Sequence, residues 1–310
     1  MPELILTRLH PGSLCLSGLH AVGWKGGSVS MPELPEVETM RGQLRPIEGS
    51  KIVEVLQPTS RFRPITLRPD FARLRRILRD TRIAEVARLG KRLVLWTEKD
   101  SHMQALVVEP RMTGCLTLSS PPDEEHVRLI LRLSHPRFPK LYFWDSRGLG
   151  RVELVTPEQY SQLAKTLGPD ALEVSADYLR RKLGQSGRPI KLALMDQRVV
   201  AGIGNIYASE ILFAAAIHPA SPSQNLAMGH WRKLARAMRE VLQQAIKGKG
   251  STLADGTYRA PDGQPGRYQF CHYVYQKDGQ RCLRCKKEVI RRFPLGGRST
   301  FFCPHCQKLL

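Results

Sequence analysis

The sequence predicts an α+β protein in several parts, and three observations carry that expectation. Residues 51–155 hold short apolar runs punctuated by Gly and Pro, the habit of a β-sandwich or barrel. Around Thr156 the pattern turns to apolar residues at helical spacing. Near the end, Cys282-x-x-Cys285 and Cys303-x-x-Cys306 stand seventeen residues apart. The fold class expected is therefore an N-terminal β-sandwich with flanking helices, a helical domain, and a C-terminal four-cysteine hairpin.

The elements follow in order. Val37, Met40 and Leu44 share one face of a first helix, with Pro35 expected at its first position and acids in the first turn. Ile52–Val55 alternates as a strand, and Phe71–Leu78 reads as a short helix. Arg92–Trp96, Gln104–Val108, Val127–Leu133 and Lys140–Trp144 read as buried or half-buried strands. Helices are expected over Pro157–Leu167, Ala176–Leu183 and Ile190–Met195, then from a cap at Asn205 through Phe213. A longer one runs from about Gly229 to Lys247, with Trp231, Leu234, Met238, Val241, Leu242 and Ala245 at helical spacing. Lys247–Gly266 is polar and rich in Gly and Lys, which predicts a mobile stretch, and a separate cysteine-bearing module starts near Arg267. No internal repeat is visible.

A chain of 310 residues, 42% hydrophobic and 25% charged, suits two compact domains and a small third module. No run of eighteen apolar residues exists, so no membrane span is expected. The net charge of +20 is a statement about partners: it favours polyanions, nucleic acid above all. Of seven cysteines, four form the two pairs, which implies a metal in a reducing compartment rather than disulfides. Four thiolates at this spacing suit one closed, structural tetrahedral zinc, because no ligand position is left for water. Over residues 281–310 eight basic residues face a single acid, Glu288, so the metal-held hairpin reads as a nucleic-acid finger.

Met31-Pro32-Glu33-Leu34-Pro35-Glu36-Val37-Glu38 reads like the start of a protein although thirty residues precede it. With Met31 removed, Pro32 would carry a free secondary amine whose pKa, about 8, lies below that of lysine. Such an amine attacks a carbonyl carbon to give an iminium ion, and neighbouring carboxylates serve as acid and base. The same residues also make an ordinary helix start, and both readings hold together if the helix positions the proline. Residues 1–30 lack the periodicity of the rest and show no secretory pattern. We expect them to be absent from the mature protein, through a misassigned start or cleavage. Two further stretches stand out. Gly202-Ile-Gly-Asn-Ile-Tyr-Ala-Ser-Glu210 offers flexible backbone and a helix start whose amides suit a phosphate, and Gly90-Lys91 presents a lysine at a hairpin tip.

From Met31 to its end the chain resembles bacterial formamidopyrimidine-DNA glycosylases. The resemblance rests on the Met31–Thr39 opening, the Lys91 turn, Asp145-Ser-Arg-Gly-Leu-Gly150, Gly202–Glu210, Ile217-His-Pro219, and the four cysteines with Arg298 between them. It implies an enzyme of base-excision repair that excises 8-oxoguanine and formamidopyrimidines from damaged double-stranded DNA and nicks the strand as an apurinic-site lyase. Pro32 would attack the sugar C1′, Glu33 would protonate the ring oxygen, and Glu36 would support the site. Lys91 would hold the phosphate near the reacting sugar. Asn205, from a helix–two-turn–helix domain, and Arg298, from the zinc finger, would clamp the flanking phosphates. Lys191 would approach the lesion side, and His126 would join the DNA-binding set. Met112, Arg147 and Leu149 would fill the hole left by the flipped nucleotide, although core packing explains Met112 and Leu149 equally well. Gly250–Gly266 would close over the lesion.

The implied domains are a catalytic sandwich over 31–157, a helical DNA-binding domain with the lesion loop over 158–266, and the finger over 267–310. The implied protein is a bacterial, cytoplasmic monomer. Glu109-Pro110-Arg111 stands where the family usually has His-Leu-Gly, and Leu149 where an aromatic is usual, so a weaker wedge is expected. Two alternatives stay open: the related glycosylase for oxidised pyrimidines, and a non-catalytic damaged-DNA-binding protein if Pro32 stays acylated.

Overall fold

The computed structural model describes residues 32–252 and 264–310. The N-terminal extension, and all but the two ends of the expected lesion loop, lie outside the described residues.

The first half is a sandwich of two sheets. One sheet has strand order β1 (Ile52–Leu56), β7 (Val127–Leu133), β8 (Lys140–Trp144), β6 (Cys115–Thr117). The other runs β2 (Thr66–Arg68), β9 (Arg151–Val155), β5 (His102–Glu109), β4 (Arg92–Lys99), β3 (Arg82–Leu89). Pairing is antiparallel throughout except for β2 with β9. Ile52, Val55, Leu129, Leu131, Leu141 and Phe143 of the first sheet meet Val86, Leu93, Leu95, Leu106, Val108 and Val152 of the second in one buried core. Helix α1 (Leu34–Leu44) sends Val37, Met40 and Leu44 into that core, and α2 (Phe71–Leu78) adds Leu74 and Leu78. Helix α3 (Pro157–Lys165) covers the outer face of the second sheet, where Tyr160 packs edge-on against Trp96. Strand β3 was not singled out in the sequence, because its charged residues break the apolar run.

The second half is built around α6 (Asn205–Ala214), whose residues Ile206–Phe213 are all buried. Helices α4 (Ala176–Leu183), α5 (Ile190–Met195) and α7 (Met228–Lys247) surround it. The helical stripe expected on α7 is the buried one, from Trp231 to Ala245. The hairpin β10 (Arg291–Leu295) and β11 (Arg298–Phe302) carries the finger. This finger is not packed apart from the helices: Tyr268, Val274, Tyr275, Cys282, Ile290, Phe301 and Cys303 share their core. The buried Glu210 carboxylate of α6 fixes the connection, accepting from the amides of Tyr273, Val274 and Tyr275 at 2.9, 3.0 and 2.7 Å.

The two halves meet at the N-terminal segment. Leu34 starts α1 yet belongs to the helical core, and its amide donates to Gly202 O at 3.0 Å. Gly202 has φ +109°, and a Cβ there would lie 2.5 Å from Leu34 Cδ1, so only glycine admits this approach.

Candidate active site

Glu33 is buried and its carboxylate caps α6 from outside that helix. It accepts from the amides of Gly204, Ile206 and Tyr207 at 2.7, 2.9 and 3.3 Å. These include the second and third residues of the helix, whose amides have no partner within it. A negative charge there also meets the positive end of the helix dipole. Gly204, not Asn205, is therefore the N-cap residue, and Asn205 is the first residue of the helix. The phosphate reading of these amides gives way to an internal carboxylate. A Cβ on Gly204 would sit 2.3 Å from Glu33 Cδ, which explains the second glycine.

Burial pushes the Glu33 carboxyl above its usual range, while Lys91 and the three amides pull it down without cancelling the rise. Lys91 follows Gly90 in the two-residue turn between β3 and β4, where Gly90 has φ +59° as a mirror-image hairpin turn requires. Burial holds the Lys91 ammonium below its ordinary pKa; Glu33, Glu36 and Glu109 act against this, and Arg298 adds to it. Glu36 accepts the Glu33 amide on Oε2 at 3.0 Å, and burial raises its carboxyl to about 7. Pro32 is buried at the head of this cluster.

Lys191, Asn205 and Arg298 converge on one strand of the hairpin. Lys191 is fully buried, and its ammonium donates to Thr300 Oγ1 at 2.8 Å and to Ser299 O at 3.2 Å. Asn205 Nδ2 donates to the same Ser299 oxygen at 3.2 Å, and its Oδ1 is buried without a partner among the described residues. Arg298, one residue earlier, is exposed. Burial lowers the Lys191 pKa to about 7, Glu33 opposing and Arg298 assisting.

Met112 and Leu149 are half-buried and Arg147 is exposed. One residue absent from the candidate set, Asp145, ties their two loops together. Its fully buried carboxylate accepts from the Thr113 hydroxyl, from the Arg147 amide at 3.1 Å and from the Gly150 amide at 2.7 Å. The signal was present in the Asp145–Gly150 motif, but nothing in the sequence showed that Thr113 lay opposite. Pro110 is accommodated by a turn in which its carbonyl accepts from Gly114 and Arg111 takes φ +58°. His126 lies beside this region, its ring stacked on Phe62 at 4.5 Å and its Nδ1 2.8 Å from Asp123.

The four finger cysteines place their sulfurs within 4.8 Å of one another, with Cys282–Cys306 at 3.9 Å and Cys285–Cys303 at 3.7 Å. A tetrahedral zinc with bonds of about 2.3 Å needs sulfurs about 3.8 Å apart, so the set fits one structural zinc.

Three family models match successive parts of the chain. They are the formamidopyrimidine-DNA glycosylase N-terminal domain over residues 31–152, that family's H2TH domain over 167–256, and a zinc finger found in FPG and IleRS over 279–309. The formamidopyrimidine-DNA glycosylase of Thermus thermophilus is 42% identical over 283 residues, covering 89% of this chain and 98% of that protein.

The chain belongs to the formamidopyrimidine-DNA glycosylase family.

The namesake from Solibacter usitatus is 37% identical over 90% of this chain and all of its own length. Among solved structures, the MutM (Fpg) protein from Thermus thermophilus matches with a TM-score of 0.77 at 39% identity, over 90% of this chain and 100% of that one. The Lactococcus lactis Fpg in complex with DNA containing an abasic site matches with a TM-score of 0.78 at 34% identity, over 89% and 99%. The glycosylase family model begins at residue 31, one residue before the buried Pro32. No helix among the described residues is long and apolar enough to cross a membrane.

Proposed function

We propose that this chain is a base-excision DNA glycosylase and apurinic-site lyase that removes oxidised purines from duplex DNA through a Schiff base on Pro32. The observation that carries the reading is the seat of Glu33: a carboxyl directly after Pro32, its pKa raised by burial, within the field of Lys91. Homologues named for formamidopyrimidine excision, and a neighbour solved with abasic-site DNA, supply the substrate class.

The extruded nucleotide presents C1′ to the Pro32 nitrogen. Attack forms the C–N bond as the base leaves, the departing base taking up the proton that the proline nitrogen sheds, and Glu33 delivers its own proton to the ring oxygen so that the sugar opens to an iminium. The iminium withdraws electrons, the C2′ proton is lost, and the 3′ phosphate departs by β-elimination; δ-elimination then releases the 5′ phosphate. Lys91, Asn205 and Arg298 hold phosphates, Lys191 supports the lesion side, and His126 joins the DNA contacts. Met112, Arg147 and Leu149 occupy the vacated stack. The finger carries one structural zinc on Cys282, Cys285, Cys303 and Cys306. The protein acts as a monomer in the cytoplasm, near the nucleoid. The chemistry needs a free Pro32 nitrogen, so the working chain starts there, without residues 1–30 and without Met31. Its units are the sandwich, the helical domain and the finger, with the boundaries given by the sequence.

Borohydride trapping on an 8-oxoguanine duplex tests the reading. A chain starting at Pro32 should yield a covalent adduct that maps to Pro32, and one with Pro32 acylated should not. Absence of adduct with the Pro32-started chain, or an adduct on a lysine, overturns it.

A further inference from the structure

Glu36 lies at one end of a line of buried polar groups drawn from four separate places in the chain. Its Oε1 accepts the Tyr207 hydroxyl at 2.5 Å and the Ser251 amide at 2.8 Å. Tyr207 Oη stands 3.3 Å from Ser251 Oγ, and Ser251 Oγ stands 3.0 Å from His272 Nε2. Glu36, Tyr207, Ser251 and His272 are all buried, at 2, 0, 3 and 3% exposure. Gly250 has φ +76°, and a Cβ there would lie 2.7 Å from Glu36 Oε1, so the backbone before Ser251 is seated directly on the carboxylate.

We infer that Tyr207, Ser251 and His272 form a hydrogen-bonded chain that sets the ionisation of Glu36, and that all three are positioning residues for the proline chemistry. The argument is one of proton counting. Each hydroxyl has one proton to give. With Glu36 ionised, Tyr207 donates to the carboxylate, Ser251 donates to Tyr207, and His272 donates to Ser251 from Nε2. Every proton then points toward the negative charge, and the imidazole is the Nε2–H tautomer. When Glu36 gains a proton from solvent its carboxyl becomes a donor, and the line runs the other way, from Glu36 through Tyr207 and Ser251 to Nε2. The imidazole then keeps its proton on Nδ1. The tautomer of His272 therefore follows the charge of Glu36.

The surroundings favour a neutral imidazole and a carboxyl poised between its two forms. Burial holds the His272 pKa down to about 3, with Lys277 assisting, and raises that of Glu36 to about 7. Of the charged groups around it, Glu33, the residue before its helix, raises the Glu36 pKa, and Glu36 in turn supports the ammonium of Lys91 in the β3–β4 turn. Tyr268 and Tyr275 pack edge-on against the imidazole at 5.5 and 5.7 Å. The chain of bonds stands on its own geometry; only its kinetic consequence rests on Pro32 as nucleophile.

Nitrogen NMR of His272 and carbon NMR of the Glu36 carboxyl, in the folded zinc-loaded protein, test this directly. His272 should change from Nδ1–H to Nε2–H with the midpoint at which Glu36 loses its proton. Tyr207→Phe should move that midpoint up by about one unit, since a donor to the charged form is lost. Ser251→Ala and His272→Phe should move it less and in the same direction, and His272→Gln, which keeps a donor, should restore it. In single-turnover strand cleavage the pH–rate inflection should move in step. A tautomer fixed from about pH 5 to about pH 9, or a midpoint unmoved in folded Tyr207→Phe and Ser251→Ala, overturns the inference. Spectroscopic shifts as expected in a protein that forms no borohydride adduct would instead overturn the Pro32 reading alone.

Discussion

The carboxylate of Glu33 lies 2.7 Å from the amide of Gly204, 171 residues along the chain. The contact makes the start of one half the helix cap of the other. It seats the neighbour of Pro32, the proposed nucleophile, on the largely buried α6 rather than on a loop.

Replacing Glu33 with Gln should therefore harm both stability and chemistry. One amide oxygen cannot serve the three donors that the carboxyl group satisfies, and each buried donor left without an acceptor costs about 1–3 kcal/mol. A loss of about 3 kcal/mol in denaturant unfolding is expected, with borohydride trapping abolished at temperatures where the variant is folded. Full-rate excision by a folded Glu33→Gln protein would contradict the acid role.

Gly204→Ala should misplace the same carboxylate without removing it. The added methyl meets Glu33 Cδ at 2.3 Å, so one of the two must move. DNA affinity should hold while the single-turnover rate falls, on the order of a hundredfold for a displacement of about an ångström. Parallel measurement of binding and trapping checks this.

Glu36 makes stability depend on pH. Burial raises its carboxyl from 4.5 to about 7, so the folded protein prefers the protonated form. The corresponding stability is fully present below about pH 4.5 and is lost as pH rises through about 7, a change of about 3 kcal/mol at 1.36 kcal/mol per unit. Glu33 is shifted in the same direction and adds to the slope. Urea unfolding across this range should show the decline, and Glu36→Gln should flatten it.

Asp145→Ala should loosen the proposed wedge. The substitution strips the acceptor from the Thr113 hydroxyl and from the Arg147 and Gly150 amides, at about 1–3 kcal/mol for each donor left buried. Fluorescence of a base analogue opposite the lesion should report slower extrusion. Activity on a single-stranded abasic site, which needs no flipping, should change less.

Removing the zinc, by chelation or by Cys303→Ser, should reach beyond the finger. Cys282 and Cys303 are buried within the helical core, and Ser299 of the hairpin receives both Lys191 and Asn205. Loss of the metal should therefore lower the melting temperature and weaken DNA binding together. Unchanged affinity with zinc absent would refute the assignment.

Much was legible beforehand for definite reasons. Apolar spacing placed α2, α4 and most of α7, because each buries a single face. Pairwise cysteine spacing announced the metal, because ligand spacing is local. The anchoring role of Asp145 and the capping of α6 at Gly204 rather than Asn205 are not legible locally, because in both cases the deciding partner comes from elsewhere in the chain.

By itself, then, the sequence determined the type of most elements and the four-cysteine zinc set, since these depend on neighbours a few residues apart. Only the tertiary structure decided that Glu33 caps α6, that Leu34 leaves its own domain for the helical core, and that Ser251 and His272 stand behind Glu36. The physical reason is that buried polar groups must find partners wherever packing puts them. Which amides and hydroxyls those are is set by the three-dimensional approach of glycine-lined backbones, not by distance along the chain.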